Sequence, residues 1–306
     1  MAYSFRRILA LIPTLLIITA ITFFMGFLAP GDPISAVLGE RASPAQVAAL
    51  KAQYGLDKPP LVQYGRFLVG VLHGDFGRSY FYAGRPVIDM VAGGFQTSLK
   101  VGAVAAVYAA LLGMTLGIIA AVFRDRWPDH VAMFFAVVGV SIPNFVLAIA
   151  LMYLFGVYLK ILPTVGWGEA KHYVMPVLVL GTRSAAFIAR ITRSAMLDVI
   201  GQDYVRTARA KGLTRERVIL KHAVKNALIP VITVLGTTLG GLITGTYIIE
   251  TIFGIPGVGR VSLDAIFQRD YQVIQVTTML IATVFVLVNL AVDLLYGVVD
   301  PRIRYS

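Results

Sequence analysis

The run VGAVAAVYAALLGMTLGIIAAVF, Val101 to Phe123, contains no charged residue. A bilayer core about 30 Å thick needs roughly 20 apolar residues in helical form, so this run is long enough to cross one. Five further segments read the same way. They are Ile8–Leu28, behind Arg6 and Arg7; Val131–Leu159, with Pro143 inside it; Tyr173–Ile188, which carries Arg183; Ala227–Ile249; and Val273–Val299, which carries Asp293. The first resembles a signal peptide, but its apolar stretch is too long, and Ala29 at its end is followed by Pro30. It reads as an uncleaved anchor. The expected fold class is an all-α membrane protein with six transmembrane helices.

Composition agrees. The chain of 306 residues is 58% hydrophobic and 14% charged, whereas a soluble domain carries about a quarter charged residues. The net charge of +11 raises nucleic-acid binding as a reading. The basic cluster lies between hydrophobic spans, however, which is the pattern of positive cytoplasmic loops, so no nucleic-acid partner is expected. The absence of cysteine removes disulfides, thiolate zinc sites and Cys nucleophiles. His73, His130, His172 and His222 are scattered, so neither a metal nor a cofactor is expected.

Orientation follows from Lys and Arg in the short loops. The stretch between the fourth and fifth spans holds Arg206, Arg209, Lys211, Arg215, Arg217, Lys221 and Lys225. Arg190 and Arg193 precede it, Arg124 and Arg126 follow the second span, and Arg302 and Arg304 end the chain. The bias places both termini in the cytoplasm and the long loop Pro30–Gln96 outside. The chain reads as one membrane domain, 1–306, with an external cap at 30–96 and cytoplasmic helices within 195–228.

The most informative stretch is GQDYVRTARAKGLTRERVILKHAVKNALIP, Gly201 to Pro230. Asp203 is placed to cap a short helix over Tyr204–Lys211. Gly212 supplies the φ > 0 geometry of a helix end. Thr214 is placed to cap a second helix, with Val218, Ile219, Ala223 and Val224 on one side and Arg215, Lys221 and Lys225 on the other. Two short helices broken at a glycine make a protrusion beneath the membrane. A basic amphipathic segment held by anionic headgroups has the same pattern.

The order DYVRTARAKGL then LIP resembles the EAA loop of ATP-binding cassette importer permeases, in its peptide-permease variety. Gly212 matches the motif glycine and Ala208 its second alanine. Arg206 stands at the motif's Glu and Thr207 at its first Ala. Pro230 lies farther from the glycine than in sugar permeases. APGDP (29–33), YGLDKPPLVQYGRFL (54–68), HGDFGRSY (73–80), ETIFGIPGVGR (250–260), RDY (269–271) and the terminal DPRIRY extend the resemblance over the chain. They are similar to the first permease of importers of the dipeptide, oligopeptide and glutathione type.

The resemblance implies an importer permease fold in the cell inner membrane. It implies a second homologous permease, two ATP-binding cassette ATPases and a periplasmic or lipid-anchored solute-binding protein as partners. An ATPase-coupling loop would contain Asp203, Tyr204, Arg206, Thr207, Ala208, Arg209, Lys211, Gly212 and Pro230. Arg206 and Arg209 would pair with carboxylates there. Glu250, Phe253, Pro256, Gly257 and Gly259 would form an external gate loop, or a plain structured turn joining two spans. Peptides lead as solute, with glutathione, nickel complexes and opine-like solutes open.

Other residues bear on mechanism directly. Arg183 inside a span costs about 2.5–3.5 kcal/mol on insertion scales, so it faces protein or water, lines a translocation path, or snorkels. Asp293 reads as snorkelling or bonded to a neighbouring helix. Gly113 and Gly117 permit close helix approach, and Pro143 permits a kink. In the cap, helices are expected near Pro44–Tyr54, starting at Ser43, and near Leu61–Leu72. No Gly-Lys dipeptide exists, so no GxxxxGK[ST] nucleotide loop exists and no catalytic residue is expected. A secondary transporter without an ATPase is the alternative, but Asp293 is the lone carboxylate well inside a span.

Overall fold

The computed structural model describes residues 2–28, 31–39, 42–82, 84–244 and 247–299. Only the backbone is described for 2–11, 229, 233, 237, 239–240, 243–244 and 292–299. Ala29, Pro30, Arg302, Arg304 and the side chains of Arg6, Arg7 and Asp293 therefore lie outside the described residues.

In chain order the helices are α1 (Ala2–Leu28), α2 (Pro33–Leu38), α3 (Pro44–Tyr54), α4 (Pro60–Leu72), α5 (Val87–Val122), α6 (Trp127–Ser141) and α7 (Asn144–Leu151). There follow α8 (Lys171–Ile200), α9 (Asp203–Ala210), α10 (Arg215–Arg217), α11 (Lys225–Thr244), α12 (Tyr247–Phe253), α13 (Val258–Gln268) and α14 (Tyr271–Val299). Wider π-type turns, Met152–Tyr158 and Val218–Val224, extend α7 and join α10 to α11. Among the described residues no strand forms, only one bridge between Arg78 and Pro86.

By length and composition, α5, α8 and residues Tyr271–Ala291 of α14 are each able to cross a membrane. Two bent pairs bring the number to five, and α1 adds a shorter apolar stretch, Ile12–Leu28. The expected third span is not one helix. It breaks by 104° between α6 and α7. Pro143 has no N–H to donate and pushes Ile142 into the extended region, at φ −81° and ψ 123°. The kink allowed by the sequence is a full change of direction.

The chain folds as two compact units, Met1–Ser98 with Pro256–Val286, and Leu99–Ile255 with Leu287–Ser306. In the first, Ser43 starts α3 with a complete capping box. Its hydroxyl accepts the Gln46 N–H at 3.3 Å, and Gln46 Oε1 accepts the Ser43 N–H at 2.9 Å. Gly55 ends the helix in the left-handed region at φ 70°. Tyr64 of α4 bonds Thr19 of α1 at 3.0 Å. Phe67, Val87, Val91, Val258, Val273 and Val276 pack into one core.

Two motif stretches meet in this unit. The Asp270 carboxylate is buried; it accepts the Ser79 hydroxyl and, at 3.3 Å, the Phe81 N–H. It also accepts the Val273 N–H at 3.4 Å, so it caps α14 while anchoring the 79–81 loop. Gln272 Nε2 donates to the Phe76 carbonyl at 2.9 Å.

The second unit is organised around α8, whose Val179, Leu180, Ala185, Ile188, Ala189 and Met196 are buried. Gly113 and Gly117 bring α5 onto it. A Cβ at Gly113 would sit 2.6 Å from the Ala185 carbonyl oxygen, and one at Gly117 would sit 2.6 Å from that of Ala189. Backbone does not yield as a side-chain tip does, so this interface demands glycine.

Gly113→Ala is expected to destabilise the protein by about 1–3 kcal/mol. Gly93→Ala, where a Cβ meets nothing within 4 Å, is expected to be neutral or stabilising. Thermal unfolding in detergent separates the two.

Candidate functional site

The hairpin after α8 begins with α9. Its N-cap is Gln202, not Asp203; Asp203 lies in the first turn, where its charge suits the positive end of the helix dipole. Val205 and Ala208 are buried with Val218, against Val199 and Leu213. Tyr204, Arg206, Thr207, Arg209 and Lys211 are exposed. The alternation is a consequence of helical period: positions 205 and 208 share the inward face, and the basic residues share the outward one. Arg206 Nη1 lies 3.6 Å from Asp203 Oδ1, but both side chains are largely in water, so the pair adds little. Lys211 ends the helix, and Gly212 follows at φ 79°, where an added Cβ would meet nothing within 4 Å. Its glycine is required by backbone conformation and not by space.

Thr214 occupies the N-cap of α10 but makes no side-chain cap bond. The expected second short helix is a correction in kind. It does not stop, but runs through Val218–Val224 into α11 and on to the exposed Pro230, where the axis turns by 48°. The hairpin is therefore a stem of the following apolar helix. Three bonds fix it. Arg215 Nη2 donates to the Val122 carbonyl at the end of α5 at 3.0 Å. Asn226 Nδ2 donates to the Tyr204 hydroxyl at 2.7 Å. Arg193 of α8 grips the buried Asp129 of α6 through two bonds of 2.6 Å each. Sequence reasoning counted Arg193 as a topological charge and missed this fork. An acidic residue two positions after Trp127, near a helix start, was the available signal.

Arg183 lies on α8 and lines a cavity of about 450 Å³. Asn144, Ser184 and Thr238 share the wall with Phe187 and Leu242. The break at Pro143 is what places Asn144, the first residue of α7, there. Among the described residues no hydrogen bond or ion pair engages the Arg183 guanidinium. Ser184 and Thr238 carried no signal in the sequence.

The expected gate residues fall in both units. In the second unit Glu250 and Phe253 are buried on α12, and Gly254 turns the chain at φ 66°. The Gly166 N–H donates to the Phe253 carbonyl at 3.1 Å. In the first unit Pro256 precedes Gly257, the N-cap of α13 at φ −95°, and Gly259 is buried inside that helix. Of these three glycines only Gly254 uses the left-handed region, which corrects the reading of Gly257 and Gly259 as turn residues. The close approach constrains Gly94 instead: a Cβ there would sit 3.0 Å from the Gly257 carbonyl carbon. The Val258 N–H donates to the buried Ser98 Oγ at 2.9 Å.

Among the described residues no group of His, Cys, Asp and Glu is placed to hold a metal ion.

Residues 113–305 match the family described as binding-protein-dependent transport system inner membrane component, and residues 1–107 match its N-terminal companion. The chain belongs to this family. The permease is 45% identical over 304 residues to the glutathione transport system permease protein GsiC of Salmonella paratyphi A, covering 99% of each chain. It is 43% identical to GsiC of Escherichia coli K12 over the same span. A solved structure of the MetNI methionine ABC transporter, in an inward-facing conformation, shares its fold with a TM-score of 0.61 at 18% identity, over 70% of this chain and 97% of that one.

The permease is thus a multi-pass inner-membrane subunit of an ATP-binding cassette importer. It is a non-catalytic channel subunit; ATP hydrolysis lies on separate subunits, and the permease works with ATPase and substrate-binding components. This sets aside the self-contained secondary transporter.

Asp129→Asn removes the charge that Arg193 grips and is expected to cost about 1.5–3 kcal/mol. The measurement is the unfolding midpoint of the purified permease, with exposed Asp198→Asn as the unaffected control.

Proposed function

We propose that this permease carries peptide-like, carboxylate-bearing solutes of the glutathione class inward, driven through α9 and α10. The supporting observation is the build of the hairpin. Its inner face is buried on Val205, Ala208 and Val218, its outer face presents Tyr204, Arg206, Arg209 and Lys211, and its far end is continuous with α11. A push on a lipid-held loop is lost in the loop. A push on a rigid stem moves the helix that walls the Arg183 cavity, because Thr238 and Leu242 belong to α11.

In this reading Asp203, Tyr204, Arg206, Thr207, Ala208, Arg209, Lys211 and Gly212 form the ATPase-coupling element, and Pro230 sets the angle at which motion reaches α11. Six spans with both termini cytoplasmic put the hairpin on the ATP side. A second homologous permease, two ATPases and an external solute-binding protein complete the assembly. Glu250, Phe253, Pro256, Gly257 and Gly259 form the external gate, and residues 30–96 the cap. Arg183 meets a substrate carboxylate, since a guanidinium is a strong, geometrically fitted partner for one. The GsiC relatives are named for glutathione, which carries two carboxylates.

Arg206→Glu with Arg209→Glu is expected to weaken ATPase association at least about tenfold, read by co-purification. Undiminished association and uptake would overturn the coupling role. Arg183→Leu is expected to lower glutathione uptake about tenfold with ATPase association unchanged; full uptake would remove Arg183 from the path.

A further inference from the structure

Helix α4 docks on α1 well inside its apolar length. The Tyr64 hydroxyl donates to the Leu16 carbonyl at 3.0 Å and lies 3.0 Å from the hydroxyl of the buried Thr19. The Tyr64 ring packs against Phe23, with centroids 5.4 Å apart, and against Phe24. At a rise of about 1.5 Å per residue, Leu16 lies about 18 Å along α1 from Leu28. Ile17, Ile21, Met25 and Leu28 recur at helical spacing on one side of α1, and each is more than half exposed. In a multi-pass membrane subunit an apolar stripe of that length belongs in lipid. Helix α4 therefore meets α1 at a level where α1 faces acyl chains.

The sequence of α4 suits that level. PLVQYGRFLVGVL carries one charge, Arg66. Phe67 is buried, and Tyr64, Leu68 and Val71 pack into the same core. Leu61, Val62, Val69 and Leu72 lie on the other side and are exposed, Leu61 at 74% and Leu72 at 84%. Gly65 falls among them, and a Cβ added there would meet nothing within 4 Å. At 3.6 residues per turn these five positions share an arc of roughly 100°, and none of them is charged. Arg66 borders the arc. Its Nη1 would stand 3.1 Å from a Cβ on Gly55, so the guanidinium turns back toward the preceding loop while its stem stays beside the apolar face. Charged and polar residues return at both ends, Asp57 and Lys58 before the helix and His73 and Asp75 after it.

Contiguous apolar surface on a folded protein marks an interaction site. The 13 residues of α4 reach about 20 Å, too short to cross a hydrocarbon core of about 30 Å. We propose that α4 is a non-spanning membrane helix, and that its face of Leu61, Val62, Gly65, Val69 and Leu72 rests on phospholipid acyl chains. Lipid is the occupant because the face is apolar, uncharged and level with the exposed side of α1. The helix fastens the segment between α1 and α5 to the bilayer. This inference concerns neither Arg183 nor α9, and it holds whatever the solute.

The test is spin-label accessibility in the transporter complex in nanodiscs, assembled with cysteine-free partner subunits. The permease has no cysteine, so each introduced one is a unique label site. Leu61→Cys, Val69→Cys and Leu72→Cys report on α4, Ile17→Cys on α1, and Lys211→Cys on water. Oxygen concentrates among acyl chains, and a water-soluble nickel chelate is excluded from them. The three α4 labels are expected to match Ile17→Cys, with oxygen collisions outnumbering nickel collisions, and Lys211→Cys to show the reverse. Nickel collisions prevailing at the α4 labels would place the face in water and overturn the proposal. Labels reached by neither reagent would mean that another subunit covers the face, which also overturns it. A watery Ile17→Cys would remove α1 from the bilayer and the proposal with it. Arg183→Leu in the same complexes leaves the α4 readings unchanged, so failure of the transport reading is seen separately.

Discussion

Lipid tails are as apolar as leucine, so in a bilayer helices gain nothing by hiding apolar surface from their surroundings. They hold together where backbones approach closely enough for dense packing. The second unit meets this constraint along α8. Gly113 and Gly117 let α5 lie against it, with the backbone carbonyls of Ala185 and Ala189 where any side chain would stand. Much else in that unit hangs from the helix so fixed. Arg183 is on it, Arg193 grips Asp129 from it, and α9 follows its end.

The same solvent governs the polar groups. A backbone or charged group without water must be met by protein. Asp129 is met by a guanidinium fork, and Asp270 by a hydroxyl and two N–H groups. Arg183 stands apart, on the wall of a cavity. The hairpin after α8 obeys ordinary aqueous rules instead: small apolar residues inward, charge outward, and a left-handed glycine at the turn.

Much of this was legible from the chain. Ser43 and Pro44 announced α3 to the residue, because a capping box is a local device. Gly212 was legible for the same reason: a helix end needs positive φ whatever surrounds it. The residue inside the cap of α9 was misjudged by one place, since Asp203 serves the dipole as well as it would serve the cap. The second hairpin helix was misread as separate. Nothing in Val218–Val224 interrupts helical periodicity, and only the preceding Gly212 did so.

Sequence alone determined that this protein is helical, that it lives in a bilayer, that a basic stretch turns at Gly212, and which family it resembles. Those properties come from runs of neighbouring residues, whose spacing is fixed by the covalent chain. The tertiary structure alone decided that Arg193 meets Asp129 across 64 positions, that Asn144 and Thr238 share a cavity with Arg183, and that the buried Asp270 accepts the Ser79 hydroxyl. Such meetings depend on how separate helices cross. No local pattern of residues records the partner that packing brings to a side chain.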